Sequence, residues 1–141
     1  MRILGIDYGD RKIGLAVSDP LQITAQKLAS YQVKNEREDR DYFKALVTDF
    51  KIEEIVLGLP LRMDGTSGPR VDKTKAFAQW LKGFLDVPIF YWDERLTTKQ
   101  AIGILNQQKI KGKAKKNLED QIAAIIILSS YLESKRNRSP E

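Results

Sequence analysis

Apolar positions at the start of the chain fall into two short runs separated by a polar turn. Ile3-Leu4-Gly5-Ile6 ends in Asp7, Tyr8-Gly9-Asp10-Arg11 supplies turn formers, and a second run extends from Ile13 to Val17. This pattern predicts β-strands over 3–7 and 12–18 joined as a hairpin. Looser alternation predicts a third strand over 22–33. The period then changes. Tyr42, Phe43, Leu46, Val47 and Phe50 recur at helical spacing with charged residues between them, which predicts a helix over 36–50. EEIVLGLP, from Glu53 to Pro60, is a short apolar run closed by glycine and proline and reads as a buried strand. The loop LRMDGTSGPR follows at 61–70, rich in turn formers and expected to be flexible. A helix is predicted over 70–85, burying Val71, Thr74, Phe77, Ala78, Leu81 and Leu85. VPIFYW, at 87–92, reads as a strand that also ends in acids, Asp93 and Glu94. A helix over 97–107 with Thr97 or Thr98 as its cap comes next, then the stretch KIKGKAKK at 109–116. The last helix is predicted over 117–134, around the apolar segment IAAIIIL.

The order β-β-β-α-β-α-β-α-α predicts an antiparallel meander followed by parallel strands with helical crossovers. The expected fold is α/β, a mixed five-stranded sheet with helices on both faces. It forms one domain over 1–135, with a flexible basic tail over 136–141. In such a sheet the strands at 3–7, 55–59 and 88–92 run parallel and adjacent, and sites form at their carboxyl ends. Asp7 ends the first of these strands and Asp93-Glu94 the last, while Asp120 is expected in the first turn of the final helix. Ala123 and Ala124 allow that helix to approach the sheet closely. Each acid alone has an ordinary explanation. Acids at strand ends are commonly solvated turn residues, and an acid in a first helical turn favours the macrodipole. Together they describe carboxylates converging on one rim, where mutual repulsion raises a pKa unless a cation is present. Two divalent ions about 4 Å apart relieve that repulsion, activate water and stabilise a leaving oxygen.

Composition narrows the chemistry. The 141 residues include no cysteine and no histidine, which excludes disulfides, thiolate or imidazole metal sites and a Ser-His-Asp triad. Hydrolysis must then rest on carboxylates, lysine, hydroxyls or a metal with oxygen ligands, and such ligands favour Mg²⁺ or Mn²⁺. The net charge of +5 favours an anionic partner. Lys109, Lys111, Lys113, Lys115 and Lys116 suit either a solvated linker or an arm that tracks phosphates. Arg62, Arg70 and Arg95 fall near the expected strand ends, and Arg11 and Lys12 sit in the first hairpin. Tyr8, Tyr91 and Trp92 are candidates for base stacking or for packing. The N-terminus carries Asp7 and Asp10 and no long apolar stretch, and Ile122 to Leu128 is too short to span a bilayer. A soluble, cytoplasmic protein without membrane partners is expected.

GIDYGDRKIGLAVSD (5–19), VLGLPLRMDGTSG (56–68), DERLTT (93–98) and DQIAAIIILSSYL (120–132) together resemble the YqgF family, also called RuvX. Its members are described as pre-16S rRNA nucleases and, in older usage, as Holliday junction resolvases. The resemblance covers residues 2 to about 134, with the motifs in family order. It implies an RNase H-like fold and a metal-dependent nuclease, most directly one processing the 5′ end of pre-16S rRNA in ribosome biogenesis. The catalytic and metal-binding acids carry over to Asp7, to Asp93 or Glu94, and to Asp120. Because adjacent side chains diverge, both Asp93 and Glu94 are retained. Implied partners are structured RNA and ribosome precursors, or branched DNA for a resolvase, and the chain acts as a monomer or homodimer. Two departures stand out. Gln121 replaces the serine frequent after the last-helix acid, and the strand ending Leu57-Gly58-Leu59-Pro60 lacks the acid found in RuvC-like enzymes. The alternatives are a resolvase acting in recombination and a non-catalytic nucleic-acid-binding factor in transcription or translation. An actin-like ATP-using enzyme shares the GIDYG motif but needs two such domains, and this chain is too short for that.

Overall fold

The structure is a computed structural model. It describes the backbone of residues 1–96, 103 and 115–138, and the side chains of these residues other than 115–121 and 138. The strands are β1 (Arg2–Asp7), β2 (Lys12–Ser18), β3 (Ala25–Gln32), β4 (Ile52–Leu59) and β5 (Ile89–Asp93). The helices are α1 (Glu36–Asp49), α2 (Pro69–Lys82) and α3 (Lys115–Arg138). The predicted helix over 97–107 and the stretch 109–114 lie outside the described residues, Gly103 excepted.

Sheet order is β3-β2-β1-β4-β5. β1, β2 and β3 form the antiparallel meander, and β4 is parallel to both β1 and β5. The three strands expected side by side therefore are neighbours. The third strand begins three residues later than predicted, at Ala25 rather than at 22. Asp19 explains this. Its carboxylate accepts from the amides of Leu21 (3.2 Å), Ile23 (2.7 Å) and Thr24 (2.7 Å), and Gln22 adopts a positive φ of 59°. Residues 20–24 are thus spent on a turn. α1 opens on Asn35, whose side chain accepts from the Glu38 amide at 2.9 Å.

Alternation along the strands divides the core between two faces. Leu4, Ile6, Ile55 and Leu57 pack with Phe43 of α1 and with Phe77, Ala78 and Leu81 of α2. Ile3, Ala16 and Val56 pack with Ala124, Leu128, Tyr131 and Leu132 of α3. Each fully buried leucine of this kind contributes about 1.5–3 kcal/mol. Two glycines set how closely α3 docks. A Cβ on Gly5 would lie 2.8 Å from the Leu128 Cβ, and one on Gly58 would lie 2.4 Å from the Ile127 Cδ1. A side chain at either position forces a shift where the helix presses on the sheet, least easily at Gly5, against the Leu128 Cβ and the Ala124 backbone.

α3 is longer than the predicted 117–134 at both ends. Lys115 and Lys116 therefore belong to the helix, and Asp120 is its sixth residue, beyond the first turn where the macrodipole explanation applies. Arg136, placed by sequence in the tail, is helical, and its guanidinium donates to the Ile23 carbonyl at 3.0 Å. None of the described helices is long and apolar enough to cross a membrane.

Candidate active site

β1, β4 and β5 end on one rim. Asp7 closes β1 opposite Gly14 of β2, and Leu59 closes β4 opposite Asp93 of β5. The Glu94 amide donates to the Leu59 carbonyl at 3.1 Å, so the parallel ladder reaches one residue past the strand. Alternation separates the two acids of the DER motif. Ile89 and Tyr91 pack on the α1–α2 side, while Trp92 packs on the α3 side. Asp93 follows the first pair and Glu94 follows Trp92. In β1, Asp7 shares the α3 side with Ile3 and Gly5.

The neighbouring acids consequently meet different environments. Arg95 grips Asp93 through its amide (2.9 Å), its Nε (3.0 Å) and its Nη2 (2.6 Å). This fork holds the Asp93 carboxyl below the usual carboxylate range. The Arg95 Nη1 also donates to the Met63 carbonyl at 3.4 Å, tying Asp93 to the loop that follows β4. Glu94 turns inward. Its Oε2 lies 2.9 Å from the position of a Cβ on Gly58, and it lines a cavity of about 220 Å³ with Trp92, Leu96, Ala123, Ile126 and Ile127. Burial first, and then the Asp7 charge, push the Glu94 carboxyl up to about 7; Arg70 partly offsets this and Asp93 adds to it. Among the described residues no side chain hydrogen-bonds or ion-pairs with the Glu94 carboxylate.

Asp120 occupies the α3 position one turn before Ala124, whose carbonyl lies 3.3 Å from the position of a Cβ on Gly5. Its side chain lies outside the described residues, as do those of Lys115 and Lys116; Lys109, Lys111 and Lys113 lie outside altogether. Among the described residues no three carboxylates cluster as a metal site. The described pair at the rim is Asp7 with Glu94.

The basic residues are distributed unevenly. Arg70, second in α2, acts on Glu94 by its charge. Lys73 pairs with Asp10 at 3.1 Å in the hairpin turn that also holds the exposed Arg11, and Lys12 opens β2. Arg62 lies against Gly68 across the loop, and Arg95 is engaged by Asp93. The loop expected to be flexible carries its own hydrogen bonds. The Asp64 carboxylate accepts from the Thr66 amide (2.9 Å) and hydroxyl (2.7 Å), and the Gly65 amide donates to the Arg62 carbonyl (2.8 Å) with a φ of +87° at Gly65. Of the aromatic candidates, Tyr8 stacks on Phe77 with centroids 4.6 Å apart. Tyr91 packs into the core, and Trp92 packs edge-on against Tyr131.

A family model described as "RuvX: Holliday junction resolvase" matches residues 1–134. The chain belongs to the RuvX family. A relative from Halothermothrix orenii, named "Putative pre-16S rRNA nuclease", is 45% identical over 132 residues, 94% of each chain. One of the same name from Listeria monocytogenes is 40% identical over 136 residues, 95% of this chain and 99% of the relative. Among solved structures, the fowlpox virus resolvase with Holliday junction DNA aligns with a TM-score of 0.60 at 17% identity, covering 96% and 99% of the two chains. T. thermophilus RuvC in complex with a Holliday junction substrate aligns at 0.56 and 17% identity, covering 96% of each. The fold is RNase H-like.

Sequence reading left three features of this rim unseen. Glu94, not Asp93, faces the Asp7 side; Gly58 makes room for its carboxylate; Arg70 is the cation that acts on it. Carrying the period of two along IFYWDE from the apolar residues already assigned to strands was the available signal for the first.

Proposed function

We propose that this chain is a divalent-metal-dependent endonuclease of ribosome biogenesis that cleaves RNA, with the 5′ end of pre-16S rRNA as its substrate. One observation carries the reading: Glu94 is held up to about 7 beside Asp7 where three parallel strands end. A half-buried carboxylate next to a second acid, with no described side chain paired to it, is costly in an inert surface and useful in a cation site. The donors are all oxygen, which fits Mg²⁺ or Mn²⁺. Asp7 and Glu94 would hold the metal, with Asp120 as the third acid from α3. When bound, such an ion supplies Lewis acidity toward the phosphodiester and lowers the pKa of water.

The chain's own groups do the rest. Glu94 must be ionised to serve, so its proton competes with the metal, and metal affinity weakens as pH falls below about 7. Arg70 and Lys73 lie along the same edge and neutralise phosphate charge, which positions the strand without reading its sequence. Arg95 acts through structure, holding the loop after β4 to Asp93. Cutting single sites in RNA needs one protomer; paired cutting of a junction needs a two-fold dimer.

The test is cleavage. Purified protein is incubated with a pre-16S rRNA fragment and, separately, a four-way DNA junction, each with Mg²⁺, Mn²⁺ or EDTA. Metal-dependent cutting of the RNA, lost in Asp7→Asn and Glu94→Gln, supports the reading. Cutting of the junction alone moves the assignment to a resolvase. Binding without cutting moves it to a non-catalytic nucleic-acid-binding factor.

A further inference from the structure

Beside the rim, between α1 and α2, lies a groove of about 380 Å³ that the cleavage chemistry does not use. Its volume falls within the roughly 300–1,000 Å³ of small-ligand sites. One wall is a row of three rings. Tyr8 stacks on Phe77 at 4.6 Å and 30°, and Phe77 on Trp80 at 5.7 Å and 28°. The far side carries carboxylates, Glu36 and Asp39. Asp39 is fixed in place because its Oδ1 accepts from the Tyr31 hydroxyl (2.6 Å) and the Lys34 amide (3.0 Å). Among the described residues its Oδ2 has no partner. The mouth carries Lys73, which with Tyr8 also lines a second hollow of about 190 Å³ holding Gly9, Asp10 and Arg70. That hollow leads from the groove, which lies on the α1–α2 face with Tyr8, toward the rim, where Arg70 acts on Glu94 by its charge.

We propose that this groove is a nucleobase pocket, taking an unpaired base of the strand whose backbone lies at the rim. The inference rests on the nuclease reading and names a feature of its substrate. Each part of the groove matches one part of a nucleotide. Aromatic faces receive a base face, which every base presents. Lys73 and Arg70 receive the phosphate; the Lys73–Asp10 pair is exposed on both sides and yields readily to a phosphate oxygen. The fixed Asp39 carboxylate accepts from base-edge donors. Guanine offers two adjacent donors, N1–H and the 2-amino group, and uracil one. With Asp39 Oδ1 already taken, the two donors fall to Asp39 Oδ2 and the Glu36 carboxylate beside it, so the pocket prefers guanine by about tenfold.

The test uses the Trp92→Phe protein, in which Trp80 is the only tryptophan, in EDTA so that cleavage plays no part. Guanosine and uridine monophosphates are titrated, read by Trp80 fluorescence and by amide chemical shifts. The expected result is saturable binding of the guanosine nucleotide about tenfold tighter than that of uridine, with shifts confined to Tyr8, Lys73, Ala76 and Trp80. Ala76→Leu, on the exposed side of α2, fills the groove and removes binding while the melting temperature is retained. Lys73→Gln weakens binding several-fold and serves if Ala76→Leu fails to fold. Equal binding of the two nucleotides, no binding, or binding unaffected by both variants overturns the proposal. Glu94→Gln separates the two readings. Lost cleavage with intact nucleotide binding supports both; intact cleavage with intact binding overturns the assignment of Glu94 in the nuclease site and leaves the pocket standing.

Discussion

Glu54 and Glu94 are both carboxylates on the α3 side of the sheet, at opposite ends of the parallel strands. Glu54, near the start of β4, is 8% exposed, and α3 neutralises it: Lys135 donates to its Oε1 at 2.7 Å and the Tyr131 hydroxyl to its Oε2. Glu94, one residue past β5, has the Asp7 charge for a neighbour and no described side chain bonded to it. The same helix and sheet thus treat two acids, one buried and one half-buried, in opposite ways. At one end the carboxylate is a structural tie. At the other the fold tolerates a charge that burial disfavours, and such a charge is more readily explained by a ligand than by packing.

The largest expected effect separates the acids of the rim. Glu94→Gln and Asp7→Asn lower kcat on RNA by roughly 100–1,000-fold, as loss of a preorganised electrostatic group does. Asp93→Asn breaks a partly solvent-exposed pair on the face away from Asp7, so cleavage stays within about fivefold of wild type. Single-turnover cleavage of one RNA by the three variants measures this. An Asp93 effect equal to that of Glu94 contradicts the division made by the sheet's two faces.

The next effect concerns stability at the opposite end. Glu54→Ala leaves Lys135 and the Tyr131 hydroxyl without their acceptor. Because the Lys135 side chain is 42% exposed, the cost falls below that of a fully buried pair, at about 1–3 kcal/mol. Urea unfolding gives the value, and cleavage by the folded fraction stays at the wild-type level. Gly58→Ala is expected to cost a similar ~1–3 kcal/mol by overpacking, since its Cβ would meet Ile127 and the Glu94 Oε2. Unlike Glu54→Ala it also lowers cleavage, because it displaces the site's own carboxylate. Full activity in Gly58→Ala would mean that Glu94 is free to move away from the sheet.

How much of this contrast was readable in the chain follows from which forces are local. Strand and helix periodicity is local, so Phe43 and Leu46 of α1 and Val71, Thr74, Phe77, Ala78 and Leu81 of α2 were legible as buried positions. Asp7 and the DER motif were legible as strand ends on one rim. The ends of elements were less so. The start of β3 depends on the Asp19 turn, and α3 extends through residues whose charges carry no stop signal. Glu54 was read only as part of an apolar run, because its partners, Tyr131 and Lys135, lie 77 and 81 residues away. The division of Asp93 from Glu94 needed the face assignment of β5, and the base pocket needed α1 packed beside α2. Neither is fixed by any one segment.

The smallest effect is the most direct test of the contrast, because its sign is opposite at the two acids. The Glu94 carboxyl rises from an ordinary value of 4.5 to about 7 on folding. Between those values the folded chain holds a proton that the unfolded chain has released. Its contribution to stability is therefore present at low pH and is lost as pH rises from about 4.5 through about 7. The group is only partly buried, so screening reduces the loss to about 1–2 kcal/mol. In EDTA, Glu94→Gln should match wild type at pH 5 and exceed it by that amount at pH 8, whereas Glu54→Ala is less stable than wild type at both. Subtracting the variant from wild type removes the slopes of the other carboxylates. Adding Mg²⁺ at pH 8 should stabilise wild type by about 2.7 kcal/mol at a hundredfold excess over Kd and leave Glu94→Gln nearly unchanged. A Glu94→Gln protein less stable than wild type at pH 8 without metal would place Glu94 with Glu54, as a structural tie whose partner lies among the residues between β5 and α3.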